Sequence, residues 1–158
     1  MKQAVKKGFG FGLTSGVITT IGLMIGLYAT TPMLSVVIGG ILSIAVADAF
    51  SDAFGIHLSE EVDNHKTERE VWTATGVTFF AKLLIALSFL IPFFLVSFSW
   101  AIFINILWGI LLLALFSFYI ARERKVSAWP IITEHVTIMF GVVVISHLVG
   151  KVIAYIFK

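Results

Sequence analysis

The chain contains no cysteine, so disulfides and thiolate metal sites are excluded, and its redox compartment cannot be inferred. Charge is scarce as well. Only 13% of the 158 residues are charged, against about 25% in a typical soluble domain. There is no Ser-His-Asp arrangement, no phosphate-binding P-loop and no His-rich zincin motif, so neither a hydrolase nor an ATP-driven pump finds support, and the chain reads as a non-enzyme. No strong excess of one sign is present either. The formal net charge is +2, and most of the basic residues lie at loops and termini, which argues against nucleic acid as a partner. What the chain has instead is apolar bulk: 59% hydrophobic residues, 15 of them Phe, and a mean hydropathy of +1.03. These values predict a polytopic membrane protein in a single domain, with the lipid bilayer as its solvent.

A membrane-crossing helix needs about 20 mostly apolar residues. On that criterion spans are expected at about 9–29, 33–58, 73–96, 100–121 and 130–157. The N-terminal MKQAVKKGFGFG is basic and then apolar, like a signal peptide, but its apolar part is long, Gly-rich and lacks an A-x-A cleavage site. It is therefore expected to stay as the first helix. Trp129-Pro130 suits the start of the fifth span, because Pro is favoured in a first helical turn.

The polar segments then sort to one side. Lys2, Lys6 and Lys7 precede the first span, Lys66 and Arg69 separate the second from the third, and Arg122, Arg124 and Lys125 separate the fourth from the fifth. The loops near 30–33 and 97–100 carry no charge. An even span count would break this pattern. The expected fold is thus an all-α bundle of five transmembrane helices, N-terminus cytoplasmic and C-terminus outside. The expected location is the cell membrane, or the vacuolar membrane in a eukaryote.

Two aspartates stand out against this background. Asp48 and Asp52 lie one helical turn apart in the apolar run VVIGGILSIAVADAFSDAFG, about 40° apart on one face. Asp48 is about 21 Å along the helix from Leu34, within the hydrocarbon. An ionised carboxylate near a span centre costs roughly 2.5–3.5 kcal/mol on insertion scales. Such a pair suits a divalent cation or a proton route. The alternative is that Asp52 is solvated while Asp48 is protonated or paired with Lys82. Lys82 lies about a third of the way into the third span; its stem permits either snorkelling to the interface or a counter-ion role against Asp48 or Asp52.

In the first span, Gly12, Ser15, Thr19, Gly22 and Gly26 form a stripe of small residues within about 80° of arc. The stripe reads as close helix packing or as the border of a polar path faced by Ser15 and Thr19. The short acidic connector, residues 57–72, carries Glu60, Glu61, Asp63, Glu68 and Glu70 with His57 and His65. It reads as a solvated link or as a cytoplasmic metal-capture site that Glu134 and His135 would join. His147 is expected to bond a neighbouring helix or to relay protons, and Asn105 to join helices.

Three stretches resemble the vacuolar iron transporter family. Ser15-Gly16-Val17-Ile18-Thr19-Thr20-Ile21-Gly22 followed by Gly26 is similar to that family's first-helix pattern D-G-[IL]-V-[TS]-T-x-x-x-x-x-G. Ala47-Asp48 to Gly55 with Leu58-Ser59 is similar to its second-helix pattern A-D-x-x-S-M-x-x-G-x-x-x-S, and the basic loop with Gly150-Lys151 resembles its ending. The resemblance implies export of Fe²⁺ or Mn²⁺ from the cytoplasm in exchange for protons. It also implies a homodimer with its path between the two first helices. It implies no resident cofactor; the divalent metal is cargo. Asp48, Asp52, Glu60, Glu61, Asp63 and Glu68 would be the metal ligands. Three departures matter: the family's first-helix Asp is Ser15, its second-helix Met is Asp52, and its long metal-binding domain is reduced to the connector. One carboxylate leaves helix one and another enters helix two. Replacing thioether by carboxylate tilts such a site toward harder ions. The reading from a different class is a non-transporting membrane protein, a metal sensor or scaffold subunit.

Overall fold

The computed structural model describes residues 1–157 and is helical throughout, with no strand among the described residues. In chain order the helices are α1 (Lys2–Thr30), α2 (Leu34–Glu61), α3 (Glu68–Ser88), α4 (Ile91–Leu95), α5 (Phe98–Arg124) and α6 (Ala128–Ile156). Taking α3 and α4 as one crossing, five segments are long and apolar enough to span a bilayer. Each of the five runs beyond the limits expected from hydropathy at one end or both. The first differs most, beginning at Lys2 instead of near residue 9, and the third begins at Glu68 instead of near residue 73.

Two local features explain that third segment. At its start Thr67 and Glu70 form a capping box: the Glu70 N–H donates to Thr67 Oγ1 at 3.3 Å, and the Thr67 N–H donates to Glu70 Oε2 at 3.3 Å. Reciprocal capping satisfies backbone donors that a helix end otherwise leaves open, so the helix starts in the polar connector. Near its end Pro92 forces a break. Phe93 donates its N–H to Leu90 O, not to Phe89 O. The freed Phe89 carbonyl cannot find water in hydrocarbon; the fully buried Asn105 of α5 donates Nδ2 to it at 2.9 Å. Asn105 thus joins helices as expected, and its target is the carbonyl released beside the proline break.

The hub of the bundle is α1. It packs most extensively on α3, then on α6, with further contacts to α2 and α5, while α2 leans on α3. Val17, Ile21 and Met24 of α1, Ile41 of α2, Phe89, Leu113 of α5 and Met139 of α6 form the central core. Close approach comes from glycine. A Cβ at Gly12 would meet Thr78 O of α3 at 2.8 Å, and one at Gly150 of α6 would meet Gly26 O of α1 at 2.5 Å. Of the small residues of α1, Gly12 is buried under α3, whereas Gly22 and Gly26 touch α6 and stay half-buried.

Candidate functional site

Four side chains from three helices meet between α1, α2 and α3. Lys82 of α3 is 1% exposed, and its ammonium lies 2.6 Å from Asp48 Oδ2 and in contact with Asp52 Oδ2. Ser15 of α1 completes the cluster: its Oγ donates to Asp52 Oδ2 at 2.6 Å and accepts from Lys82 Nζ at 2.8 Å. The Asp48 contact is close but off the direction of a hydrogen bond, so Asp48 Oδ2 is paired in charge and left without a hydrogen-bond partner.

The sequence places these groups by simple periodicity. On α2 the buried row runs Val37, Ile41, Ala45, Ala49, Ala53, mostly alanine near the site, which brings the backbones close. Asp48 and Asp52 sit one residue to the side of that row, 24% and 19% exposed, so they border the seam without being sealed in it. On α3 Lys82 follows Ala74, Thr78 and Ala81 along the face that meets Gly8 and Gly12. The lysine does not snorkel. Its ammonium is held at mid-bundle, about 21 Å along the helix from Glu68. With both carboxylates and the ammonium ionised the cluster carries one excess negative charge, which hydrocarbon tolerates poorly. A proton or a cation would neutralise it.

Thr19 stands apart from this site, because its Oγ1 donates to Ser15 O of its own helix at 2.9 Å. The connector carboxylates are not gathered with the aspartates, nor with each other. Glu60 turns inward, 2% exposed, and pairs with Lys7 of α1, with Lys66 at 3.7 Å. Glu61 is exposed and lies 3.9 Å from His57 Nε2, Asp63 Oδ1 accepts from the His65 N–H at 3.1 Å, and Glu68 is exposed in the first turn of α3. Among the described residues no group of three or more His, Asp or Glu is placed to hold a metal ion. Of the two readings of the connector, this arrangement fits the solvated link better, since its acidic groups are spread over a clasp, a turn and a helix cap. His135 also has other business, a 2.7 Å hydrogen bond with Ser117 of α5, and Glu134 is exposed. His147 faces outward from α6, not toward a neighbouring helix.

Two of these features had signals in the chain. Glu60 continues the buried row through Ile56, four residues before it, and Thr67-x-x-Glu70 is a capping-box pattern. Nothing in the spacing announces that Ser15 faces Asp52 across the seam.

Fold and cluster together define a multi-pass helical membrane protein with a charged site inside its bundle. Comparison with protein-family models, with curated proteins and with solved structures finds no match to this chain.

Proposed function

We propose that the chain is a secondary transporter moving a divalent cation of the Fe²⁺ or Mn²⁺ class out of the cytoplasm in exchange for protons. The observation that carries this reading is the cluster of Asp48, Asp52, Lys82 and Ser15, two carboxylates held around a single ammonium at mid-bundle. Such groups are rare and costly in a span unless a polar solute uses them. The basic end of the bundle, where Lys6 pairs with Glu123 and Lys7 with Glu60, would be cytoplasmic.

Charge balance gives the exchange its form. Empty of metal, the cluster is neutral with one carboxylate protonated and Lys82 charged. With a divalent ion on both carboxylates it is neutral again once that proton and the Lys82 proton have left. One divalent ion therefore exchanges for two protons, and transport is electroneutral. Lys82 is the internal counter-ion that cargo displaces, and Ser15 Oγ is a further oxygen beside it. Association of two copies through α1 belongs to the same proposal. The support for it is an edge of α1, Ser15, Thr19, Gly22 and Gly26, whose residues are each only half-buried within one chain.

The test is flux in proteoliposomes with a panel of divalent ions. Asp52→Asn abolishes metal-dependent flux and Asp48→Asn reduces or abolishes it, while both proteins stay folded. Flux follows a pH gradient and is indifferent to membrane potential. Wild-type flux in the double variant would sink the assignment. In that event the second reading takes over, a non-transporting sensor or scaffold subunit. Its support is that Lys82 already engages both carboxylates and that, among the described residues, no third acidic ligand stands beside them.

A further inference from the structure

A second polar feature lies on the far side of α1 from the charged cluster. A cavity of about 1000 Å³ opens between the first turns of α1 and the last turns of α5, with His135 of α6 at its margin. That is the upper end of the ~300–1,000 Å³ range of ligand pockets. It has two unlike parts. The inner part is apolar, walled by Phe9 and Leu13 of α1 and by Leu112, Leu115 and Phe116 of α5. Phe9 and Phe116 meet edge to face at 6.0 Å, which fixes the wall. The mouth is charged and lies at the basic end of the bundle.

The charge at that mouth is unbalanced. Three basic side chains, Lys6, Lys7 and Arg124, line it against one acidic side chain, Glu123. Glu123 pairs with Lys6, and Lys7 reaches Glu60. Arg124 has no carboxylate partner among the described residues. The adjoining Arg122 and Lys125 add to the positive field. An apolar slot beneath a cationic mouth, at the level where a bilayer passes from hydrocarbon to headgroups, matches one class of molecule.

We propose that this cavity is a binding site for an anionic phospholipid. The headgroup phosphate sits against Arg124 and Lys6, and one acyl chain lies along Phe9, Leu13, Leu112 and Phe116. Basic pockets between helices on the cytoplasmic side of membrane proteins attract such headgroups. Free phosphate would use the mouth and leave the apolar part unfilled. A zwitterionic headgroup would bring its own ammonium against three cations. The site is independent of the metal reading, because it shares no side chain with Asp48, Asp52, Lys82 or Ser15.

Purified full-length protein from bilayers of phosphatidylglycerol mixed with phosphatidylcholine would be examined by native mass spectrometry. One phosphatidylglycerol per chain is expected to persist, with phosphatidylcholine lost, and excess inorganic phosphate should not displace it. Lys6→Gln with Arg124→Gln lowers retention by about tenfold or more, in a protein whose thermal unfolding in lipid-free detergent matches wild type. Equal retention of the two lipids, unchanged retention in the double variant, or displacement by phosphate alone would overturn the proposal. If that variant does not fold, Leu115→Trp places a reporter in the wall with the cations intact. Brominated phosphatidylglycerol should then quench the added fluorescence more than brominated phosphatidylcholine does, and equal quenching would overturn the proposal as well.

Discussion

The bundle contains two charged triads built on the same plan with the signs reversed. In one, the buried ammonium of Lys82 lies between Asp48 and Asp52; in the other, the buried carboxylate of Glu60 lies between Lys7 and Lys66. Both central groups are almost fully covered, at 1% and 2% exposure. Both triads tie α2 to its neighbours, and they lie eight residues apart on that helix, about 12 Å. Their surroundings differ. The Glu60 triad is at the polar end, and one of its lysines is half exposed, so water and salt reach it. The Lys82 triad is flanked by apolar turns of three helices, with Ser15 as its one further polar partner. The same charge pattern thus sits where water supplies the remaining solvation in one case, and among apolar turns, where a net charge is costlier, in the other.

The sharpest way to break this comparison is to remove the central charge of each triad. Lys82→Met leaves two carboxylates facing each other without a counter-ion. Breaking a buried ion pair from one side costs about 3–5 kcal/mol, and that loss is expected in SDS titrations of the protein in mixed micelles. Adding Asp48→Asn and Asp52→Asn to Lys82→Met should restore most of the loss, because the neutral cluster no longer carries an unpaired charge. A Lys82→Met protein as stable as wild type would mean that water solvates this triad too.

Glu60→Gln is the matching change in the other triad, and a smaller effect is expected. Its lysine partners lie at the polar end, one of them 49% exposed, so losing the charge costs roughly 1–2 kcal/mol at low salt, nearer the value of a charged hydrogen bond than of an ion pair within the apolar spans. The two triads should also part in their response to salt. Exposed charges are screened beyond about 10 Å at 0.1 M ionic strength and within about 3 Å at 1 M. High salt should therefore shrink the Glu60→Gln effect while leaving the Lys82→Met effect nearly unchanged. Equal salt responses would erase the distinction drawn between the two environments.

How much of this was legible in the chain follows from contrast. Asp48, Asp52 and Lys82 stand out because each is a charge in an apolar run, and the same contrast marks the five spans. In the connector that contrast vanishes. One acidic residue among five does not declare that it turns inward, so Glu60 reads as a metal ligand until the structure shows Lys7 and Lys66 beside it. Glycine spacing on α1 signals close approach but not its partner, because every helix offers a similar apolar surface. Only the folded arrangement sends Gly12 to α3 and Gly26 to α6. Pro92 announces a break near the end of the third span, whereas the choice of Asn105 to satisfy the freed carbonyl depends on how α5 lies against it. Contacts between residues distant in sequence leave no periodic trace, and Ser15 with Asp52 is the clearest case.

The smallest expected effect asks whether the clasp acts alone. Lys66 pairs with Glu60 and is followed directly by Thr67, the N-cap of α3. Thr67→Ala removes the side-chain acceptor of the Glu70 N–H and should cost about 1 kcal/mol, the usual value of an N-cap. Hydrogen exchange should then quicken in the first turn of α3 while the amides around Lys82 stay protected. If the cap orients Lys66, the effects of Thr67→Ala and Glu60→Gln will not add. Residues that share a network couple by about 0.5 kcal/mol or more, whereas independent sites add within roughly 0.3–0.5 kcal/mol. A coupling above that margin, measured by a double-mutant cycle in low salt and reduced in high salt, makes the clasp and the cap one unit at the water-exposed end. Additivity would separate them, leaving Lys7 as the lysine that matters to Glu60 and the connector as a passive link between α2 and α3.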